Sequence, residues 1–194
     1  MLLDSKMTDE SHSVLVVSKD PKLSSTVSVM LMPPLFETDV MSDFNEARRR
    51  VSERVYNIIL VDYAEGVGVD FAIDTSESLS TILLLTPPQL FEEVSYRVEA
   101  YGIITMPNPF DQFYFYNMIK AAIAVQYKVQ VLSSKATQLK VKMEEIRLVN
   151  RAKMLLMQNM SMTEQEAHRY IEKEAMDRGM RKTAIAEEII RRYG

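Results

Sequence analysis

The residues best suited to chemistry stand at the ends of short apolar runs. In a sheet of parallel strands, ligands and reacting groups collect at the carboxyl ends of the strands. Only two of the polar residues at these ends are carboxylates, the groups that magnesium prefers, so few metal donors are available. The polar residues at the ends of these runs are Ser18, Lys19, Asp20, Asp62, Thr86 and Asn108.

A second group of candidates is basic and lies near the end of the chain. Residues 147–194 carry 10 Lys and Arg against 7 Asp and Glu, whereas residues 1–125 carry 9 against 18. A basic tail favours nucleic acid, but this excess is small and is also typical of exposed helices. The cations that could meet phosphate groups are Arg151, Lys153, Arg169, Lys173, Arg181 and Lys182.

Five apolar runs alternate with helical patterns over roughly the first 120 residues. Such alternation predicts an α/β doubly wound, five-stranded parallel sheet of the flavodoxin type. Gly66-Val67-Gly68 lacks the following Lys-Ser/Thr of a phosphate-binding loop, and we interpret it as a flexible loop beside Asp62. The predicted strands are residues 14–17, 37–41, 58–61, 81–85 and 102–105.

A long helix is predicted from about Val125 through Met157, without Pro or Gly. Its narrow apolar stripe repeats every three and four residues, which is typical of a coiled coil. We expect a parallel homodimer, in which Asn150 pairs with its counterpart and fixes the register. The alternative is a helix that packs back on its own chain. The heptad seam comprises Val129, Leu132, Ala136, Leu139, Met143, Ile146 and Asn150.

A compact three-helix unit is predicted after residue 147. Thr163 and Glu166 have the spacing of a capping box, Gly179 is placed to end that helix, and a last helix starts near Thr183.

The N-terminal blocks resemble the receiver domain of bacterial response regulators over about residues 12–125. Ile59-Leu60-Val61-Asp62 is similar to the phosphoacceptor block, and Leu83-Leu84-Leu85-Thr86 to the block that ends in Thr. Met106-Pro107-Asn108-Pro109-Phe110 is similar to the Lys-Pro block. The resemblance implies that Asp62 occupies the phosphoacceptor position. It also implies that the pocket around it contains Ser18, Lys19, Asp20, Thr86 and Asn108.

The receiver pattern is incomplete. Ser18 and Lys19 stand where receivers have an acidic pair, and Asn108 stands where they have Lys. Phosphoryl transfer to an aspartate needs a divalent cation, so we expect a degenerate receiver whose Mg²⁺-dependent phosphorylation is lost or very poor. Lys19 either pairs with Asp62 as an internal cation or points to solvent. We expect no metal ion and no cofactor.

The C-terminal segment resembles the ANTAR module of bacterial transcription antiterminators over about residues 135–194. The resemblance is carried by residues 151–157 (Arg-Ala-Lys-Met-Leu-Leu-Met), Glu166-Ala167, Ala175-Met176 and Ile185-Ala186. Met154 replaces a Gly of the family pattern, a mild departure because Met is the better helix former. The resemblance implies a dimer that binds paired RNA stem-loops and prevents a terminator hairpin from forming. Lys153 matches the motif Lys and is the leading candidate for RNA contact, while Arg181 and Thr183 are weaker ones.

Several classes of protein are disfavoured. Without cysteine there is no disulfide, thiol catalysis or Cys-ligated zinc. The Met1-Leu2-Leu3-Asp4 start is unlike a signal peptide, and the longest aliphatic run, Ile82–Leu85, is far below a membrane span. We therefore expect a cytoplasmic protein without membrane contact. Because no nucleophile has a predicted base and no metal cluster is evident, we do not expect an enzyme.

The resulting hypothesis has four segments: a flexible N-terminus (1–12), a degenerate receiver-like domain (13–124), a coiled-coil linker (125–146) and an ANTAR-like RNA-binding module (147–194). An upstream signalling protein is a further expected partner. The alternative is a dimeric protein-interaction module of a signalling pathway, whose tail binds another protein. DNA binding is less favoured, since no helix-turn-helix signal is clear.

Overall fold

The computed structural model describes residues 11–194. The flexible N-terminus predicted for residues 1–12 therefore lies outside the described residues, apart from Ser11 and His12, and His12 already begins the first strand. The chain divides into two compact units between Val131 and Leu132, while the predicted segment boundaries stay predictions. Within residues 11–194, no helix combines the length and the apolar character needed to cross a bilayer.

The first unit contains one parallel sheet in the order β2-β1-β3-β4-β5. This arrangement confirms the predicted α/β doubly wound fold with five strands. The strands are β1 (His12–Val17), β2 (Phe36–Met41), β3 (Ile58–Asp62), β4 (Thr81–Thr86) and β5 (Ile104–Pro107). The helices are α1 (Pro21–Met30), α2 (Phe44–Glu53), α3 (Val67–Asp74), α4 (Phe91–Val98) and the start of α5 (Gln112–Met160).

Both faces of the sheet are covered, which explains why the strands are continuous apolar runs. Alternate residues of each strand enter different cores. Leu15, Ile59 and Leu84 pack with side chains of α2, α3 and α4. On the opposite face, strand residues pack with α1 and with Phe115 and Ile119 of α5.

The interpretation of Gly66-Val67-Gly68 as a flexible loop was wrong. Helix α3 starts at Val67, and Gly68 is buried within it. A Cβ on Gly68 would lie 1.8 Å from the carbonyl oxygen of Asp62. Glycine is therefore required because the helix packs directly against the backbone at the end of β3. Gly66 precedes the helix with φ +93°, a conformation that glycine adopts readily.

The second unit is built from the C-terminal part of α5 together with α6 (Glu164–Asp177) and α7 (Lys182–Tyr193). The predicted capping box is present, since Thr163 and Glu166 exchange hydrogen bonds at the start of α6. Gly179, with φ +59°, follows the end of the helix as predicted. The core of this unit consists of Ala152, Leu156, Ala167, Ile171, Ala175, Ile185, Ala186 and Ile189. The predicted long helix and three-helix unit are thus confirmed.

Candidate functional site

The carboxyl edge of the sheet places Asp62 beside Ser18. Asp62 is the last residue of β3 and is half-buried, while Ser18 follows β1 and is buried. The Ser18 hydroxyl donates to Asp62 Oδ2 at 3.1 Å and accepts from the backbone N–H of Asp20 at 3.0 Å. The Asp62 carboxylate therefore has a neutral hydrogen-bond donor as its neighbour.

The position of Asp62 perturbs the pKa of its carboxyl. Burial raises the pKa of the Asp62 carboxyl above its ordinary value, and the hydrogen bond from Ser18 offsets part of that effect. The negative charge of Asp20 raises the pKa further. The surroundings of Asp62 thus disfavour its charged form, because the hydrogen bonds from Ser18 and from the backbone N–H groups of Tyr63 and Ala64 do not compensate for the hydration lost on burial.

Lys19 does not place a positive charge next to the Asp62 carboxylate. Among residues 11–194, Asp62 has no ion pair within 4.0 Å, so the alternative in which Lys19 pairs with Asp62 was wrong. The exposed Lys19 ammonium lies 5.9 Å from the centre of the Phe44 ring instead. Ser18 instead lies against the Asp62 carboxylate, and Lys19 is exposed just before Asp20, the cap residue of α1.

The other two predicted residues of the edge lie at the ends of neighbouring strands. Thr86 ends β4 and is fully buried. The backbone N–H of Asn108 donates to the Thr86 carbonyl oxygen at 2.8 Å and continues the pairing of β4 with β5. Sequence position alone therefore located both residues correctly along this edge.

The donor set at this edge fits magnesium poorly. Magnesium requires near-octahedral oxygen coordination with carboxylate ligands. Asp20 Oδ1 already accepts the N–H of Lys22 at 2.8 Å, as the cap of α1, and Ser18 offers only a hydroxyl. Within residues 11–194, no three His, Cys, Asp or Glu side chains form a group that could hold a metal ion.

The heptad seam is exposed along the second unit. The side chains of Leu132, Leu139, Met143 and Ile146 are 55–63% exposed. Large apolar side chains on one narrow stripe of a helix are typical of a surface that meets another helix. The alternative in which the long helix packs back on its own chain was therefore wrong for these four residues.

The second unit contains a groove of about 760 Å³ between its three helices. We call it the helix groove. Apolar side chains from α5 and α6 and the following turn line part of it: Ile146, Val149, Ala175, Met176 and Met180. Polar and charged side chains line the rest: Glu145, Asn150, Lys153, His168, Glu172, Arg181, Lys182 and Thr183.

Lys153 has the most restricted environment of the predicted RNA-binding cations. Its side chain is only 15% exposed, and its ammonium pairs with Glu164 Oε1 at 2.8 Å. This contact lowers the pKa of the Glu164 carboxyl. Lys153 lines both the helix groove and a smaller hollow beside Glu164 and Arg169.

Some of the predicted RNA-binding cations line the helix groove or the smaller hollow, and others line neither. Arg181, Lys182 and Thr183 meet Lys153 at the helix groove, and Arg169 reaches the smaller hollow. Arg151 and Lys173 are exposed and line neither.

Sequence reasoning missed His168 and Glu172 as groove residues. Glu172 forms a short hydrogen bond with Lys182 and lies 3.3 Å from His168 Nε2. Both partners lower the pKa of the Glu172 carboxyl, with Lys182 contributing first. The spacing of His168 and Glu172, one helical turn apart, was the available signal.

Comparison with known proteins identifies the second unit. Residues 137–190 match the model of the ANTAR domain family. A stretch of 94 residues is 32% identical to the aliphatic amidase regulator of Pseudomonas aeruginosa, covering 48% of this chain and 47% of that protein. The chain therefore spans about half the length of the curated relative that it matches. These matches confirm the predicted ANTAR module.

Solved structures identify the fold of the first unit. A CheY-like receiver domain protein from Methanospirillum hungatei is 16% identical, with a TM-score of 0.54 over 61% of this chain and 98% of that one. An adenylate cyclase structure from Rhodopirellula baltica is 21% identical, with a TM-score of 0.58 over 68% and 98%. At such identities the likeness establishes the fold alone, and that fold is the predicted receiver fold. The chain thus combines a receiver-fold unit with an ANTAR domain.

Proposed function

We propose that this chain is an RNA-binding regulator of transcription antitermination. It acts in the cytoplasm as a dimer on paired stem-loops of a leader RNA, and its role is regulatory rather than catalytic. The observation that carries the proposal is the position of Lys153, the Lys of the ANTAR motif, in the matched segment. Lys153 lines both hollows, and Arg169, Arg181 and Lys182 line one or the other.

The start of α7 supports a phosphate contact at the helix groove. No side chain caps the first N–H groups of α7, and its first turn has no acidic residue. Free N–H groups at a helix N-terminus bind phosphate oxygens well. Arg181, Lys182 and Thr183 surround the same helix end, so a loop phosphate would find both charge and directed donors there.

Two ion pairs within the second unit compete with RNA for the cations of the helix groove. Lys153 pairs with Glu164, and Lys182 pairs with Glu172. An RNA phosphate must displace these carboxylates, whereas Arg169 and Arg181 have no ion pair within 4.0 Å among the residues that the structure describes. We infer that the two unpaired arginines make the first contacts with RNA.

The receiver-fold unit is proposed to act without efficient Mg²⁺-dependent phosphorylation. Ser18 and Lys19 give no carboxylate to a metal ion, and burial without a neighbouring cation disfavours the charged form of Asp62. We infer that this unit serves mainly as a docking body for an upstream signalling protein.

Binding of the full chain to a two-stem-loop leader RNA tests the proposal. We expect the paired hairpins to bind more tightly than a single hairpin, and Lys153→Ala to weaken binding at least about tenfold, as expected when one buried charged contact is lost. Affinity should fall steeply with salt, because phosphate contacts release counterions.

The matched control is Arg191→Ala, which removes an exposed cation of α7 that lines neither hollow. Arg181→Ala provides a second test, because its side chain is exposed and its loss leaves the core intact. Circular dichroism checks that each variant is folded. Failure of the folded wild-type protein to bind either RNA at low salt would refute the proposed function.

The second candidate function is a dimeric protein-interaction module. Exposed aromatic side chains favour it, since Tyr96 is 81% and Phe113 77% exposed on the first unit. Surface aromatics often anchor protein interfaces. Under this hypothesis Phe113→Ala impairs signalling in cells, whereas Lys153→Ala does not.

A further inference from the structure

The heptad seam of the second unit is flanked by positive charge alone. With Ala136, Met143 and Asn150 at a positions, the g positions beside the seam hold Lys135 and Lys142. The e positions on the other side hold Lys140 and Arg147. All four cations are exposed.

Most of this charge is not neutralised within the chain. Arg147 pairs with Glu144 of the same helix at 2.8 Å. Lys135, Lys140 and Lys142 have no ion pair within 4.0 Å among residues 11–194. The seam therefore presents an apolar stripe between two cationic edges.

These edges oppose a homodimer of the helix. In a parallel coiled coil, each g residue faces the e residue five positions later on the other helix. Lys135 then faces Lys140 of a second copy, and Lys142 faces Arg147 of a second copy. Symmetry doubles both contacts, so every flanking pair in this segment is a like-charge pair, which destabilises the coil.

We propose that a second copy of this chain and a phosphate-bearing polyanion bind cooperatively at this helix. The apolar seam supplies the attraction between the copies, and phosphates along the edges remove the repulsion. The identification of the polyanion as RNA rests on the proposed function, whereas the coupling between dimerisation and polyanion binding does not.

One observation favours a second copy over an unrelated acidic helix, and a second favours a polyanion that extends along the unit. Asn150 stands at an a position, where an Asn pairs best with another Asn and fixes a parallel register. The cationic edges also lead along α5 to Lys153 at the helix groove. One polyanion can therefore contact both the edges and the groove cations of the second unit.

Sedimentation equilibrium of the full chain tests whether the cationic edges oppose dimerisation. Because the Debye length shrinks from about 10 Å at 0.1 M salt to about 3 Å at 1 M, we expect the dimer dissociation constant to fall about tenfold over this range. The double variant Lys135→Glu/Lys142→Glu turns every flanking pair into an opposite-charge pair. Its dimer should be at least about tenfold tighter than wild type at 0.1 M NaCl and should weaken as salt rises.

The matched control is Ser134→Glu/Gln138→Glu, which adds negative charge at f and c positions away from the seam. We expect its dimerisation to stay within about threefold of wild type. A wild-type dimer that weakens with salt would overturn the proposal, as would a charge-reversed variant that dimerises no better. The absence of a wild-type dimer at 1 M NaCl would also overturn it.

Two polyanions separate this proposal from the proposed function. At 0.1 M NaCl, inorganic polyphosphate and the two-stem-loop RNA should each increase the wild-type dimer fraction and have little effect on the charge-reversed variant. Promotion by polyphosphate without RNA binding would support this proposal and refute the RNA function. Failure of both polyanions to promote the dimer would overturn the cooperative step.

Discussion

Replacing Gly68 by Ala separates two physical effects that act in opposite directions. Gly68 lies inside α3, and helix propensity alone favours Ala over Gly by about 1 kcal/mol. The added Cβ, however, would lie 1.8 Å from the Asp62 carbonyl oxygen and 3.1 Å from that of Tyr63. A carbon–oxygen contact ordinarily needs about 3.3 Å or more, so the backbone after β3 must move by roughly 1.5 Å.

Such a movement is costly because the neighbouring atoms are main chain rather than a flexible side chain. Overpacking a core usually costs about 1–3 kcal/mol and occasionally more, and here the displaced backbone carries Asp62. We expect Gly68→Ala to lower the free energy of unfolding of the first unit by about 3 kcal/mol after the propensity gain.

Hydrogen–deuterium exchange measures this effect separately in each unit. Amide exchange should accelerate in β3 and α3, whereas residues 150–193 should keep wild-type protection. Gly102→Ala is the matched control, because Gly102 has φ +70° but nothing within 4 Å of its added Cβ. That variant should cost only about 1 kcal/mol from its left-handed backbone. Wild-type or greater stability of Gly68→Ala would show that the added Cβ does not displace the Asp62 backbone.

Three further substitutions test other parts of the chain. Thr163→Ala removes the capping box that Thr163 forms with Glu166, so the second unit should lose about 1 kcal/mol in thermal unfolding followed by circular dichroism. Tyr56→Phe removes a buried hydroxyl that donates to Asp39 at 2.6 Å, and urea unfolding should show a loss of about 1–3 kcal/mol. Burial raises the Asp62 pKa in the folded state, so that residue makes stability fall as pH rises from the unfolded pKa through the folded one. Asp62→Asn should remove that contribution, so that stability of the variant falls less or rises more with pH than that of wild type. An unchanged pH dependence of unfolding would contradict the assignment.

The receiver-fold unit illustrates how far local sequence information reaches. Each strand of its centre is an unbroken apolar run because both faces of a parallel sheet are covered. That pattern is visible in the sequence, and it located Ser18, Asp62 and Thr86 along one edge. Helix α3 was missed, since Gly66 before it and Gly68 within it indicate a loop when the packing of Gly68 against Asp62 is unknown.

Local sequence patterns are sufficient to predict most of the helices and strands and the features that depend on neighbouring residues. The heptad seam, the capping box at Thr163 and the turn at Gly179 follow from spacings of a few residues, which backbone geometry converts directly into contacts. The four like charges beside the seam are likewise fixed by the helical repeat. These features need no knowledge of the rest of the fold.

The pairing of charged side chains, in contrast, depends on how the elements pack in three dimensions. Lys153 pairs with Glu164 across the turn between α5 and α6, Lys182 pairs with Glu172, and Lys19 lies over Phe44 instead of reaching Asp62. Such pairs join different elements, so they depend on how helices and strands pack against one another. A long charged side chain can reach several partners, and the packed core determines which of them lies within contact distance.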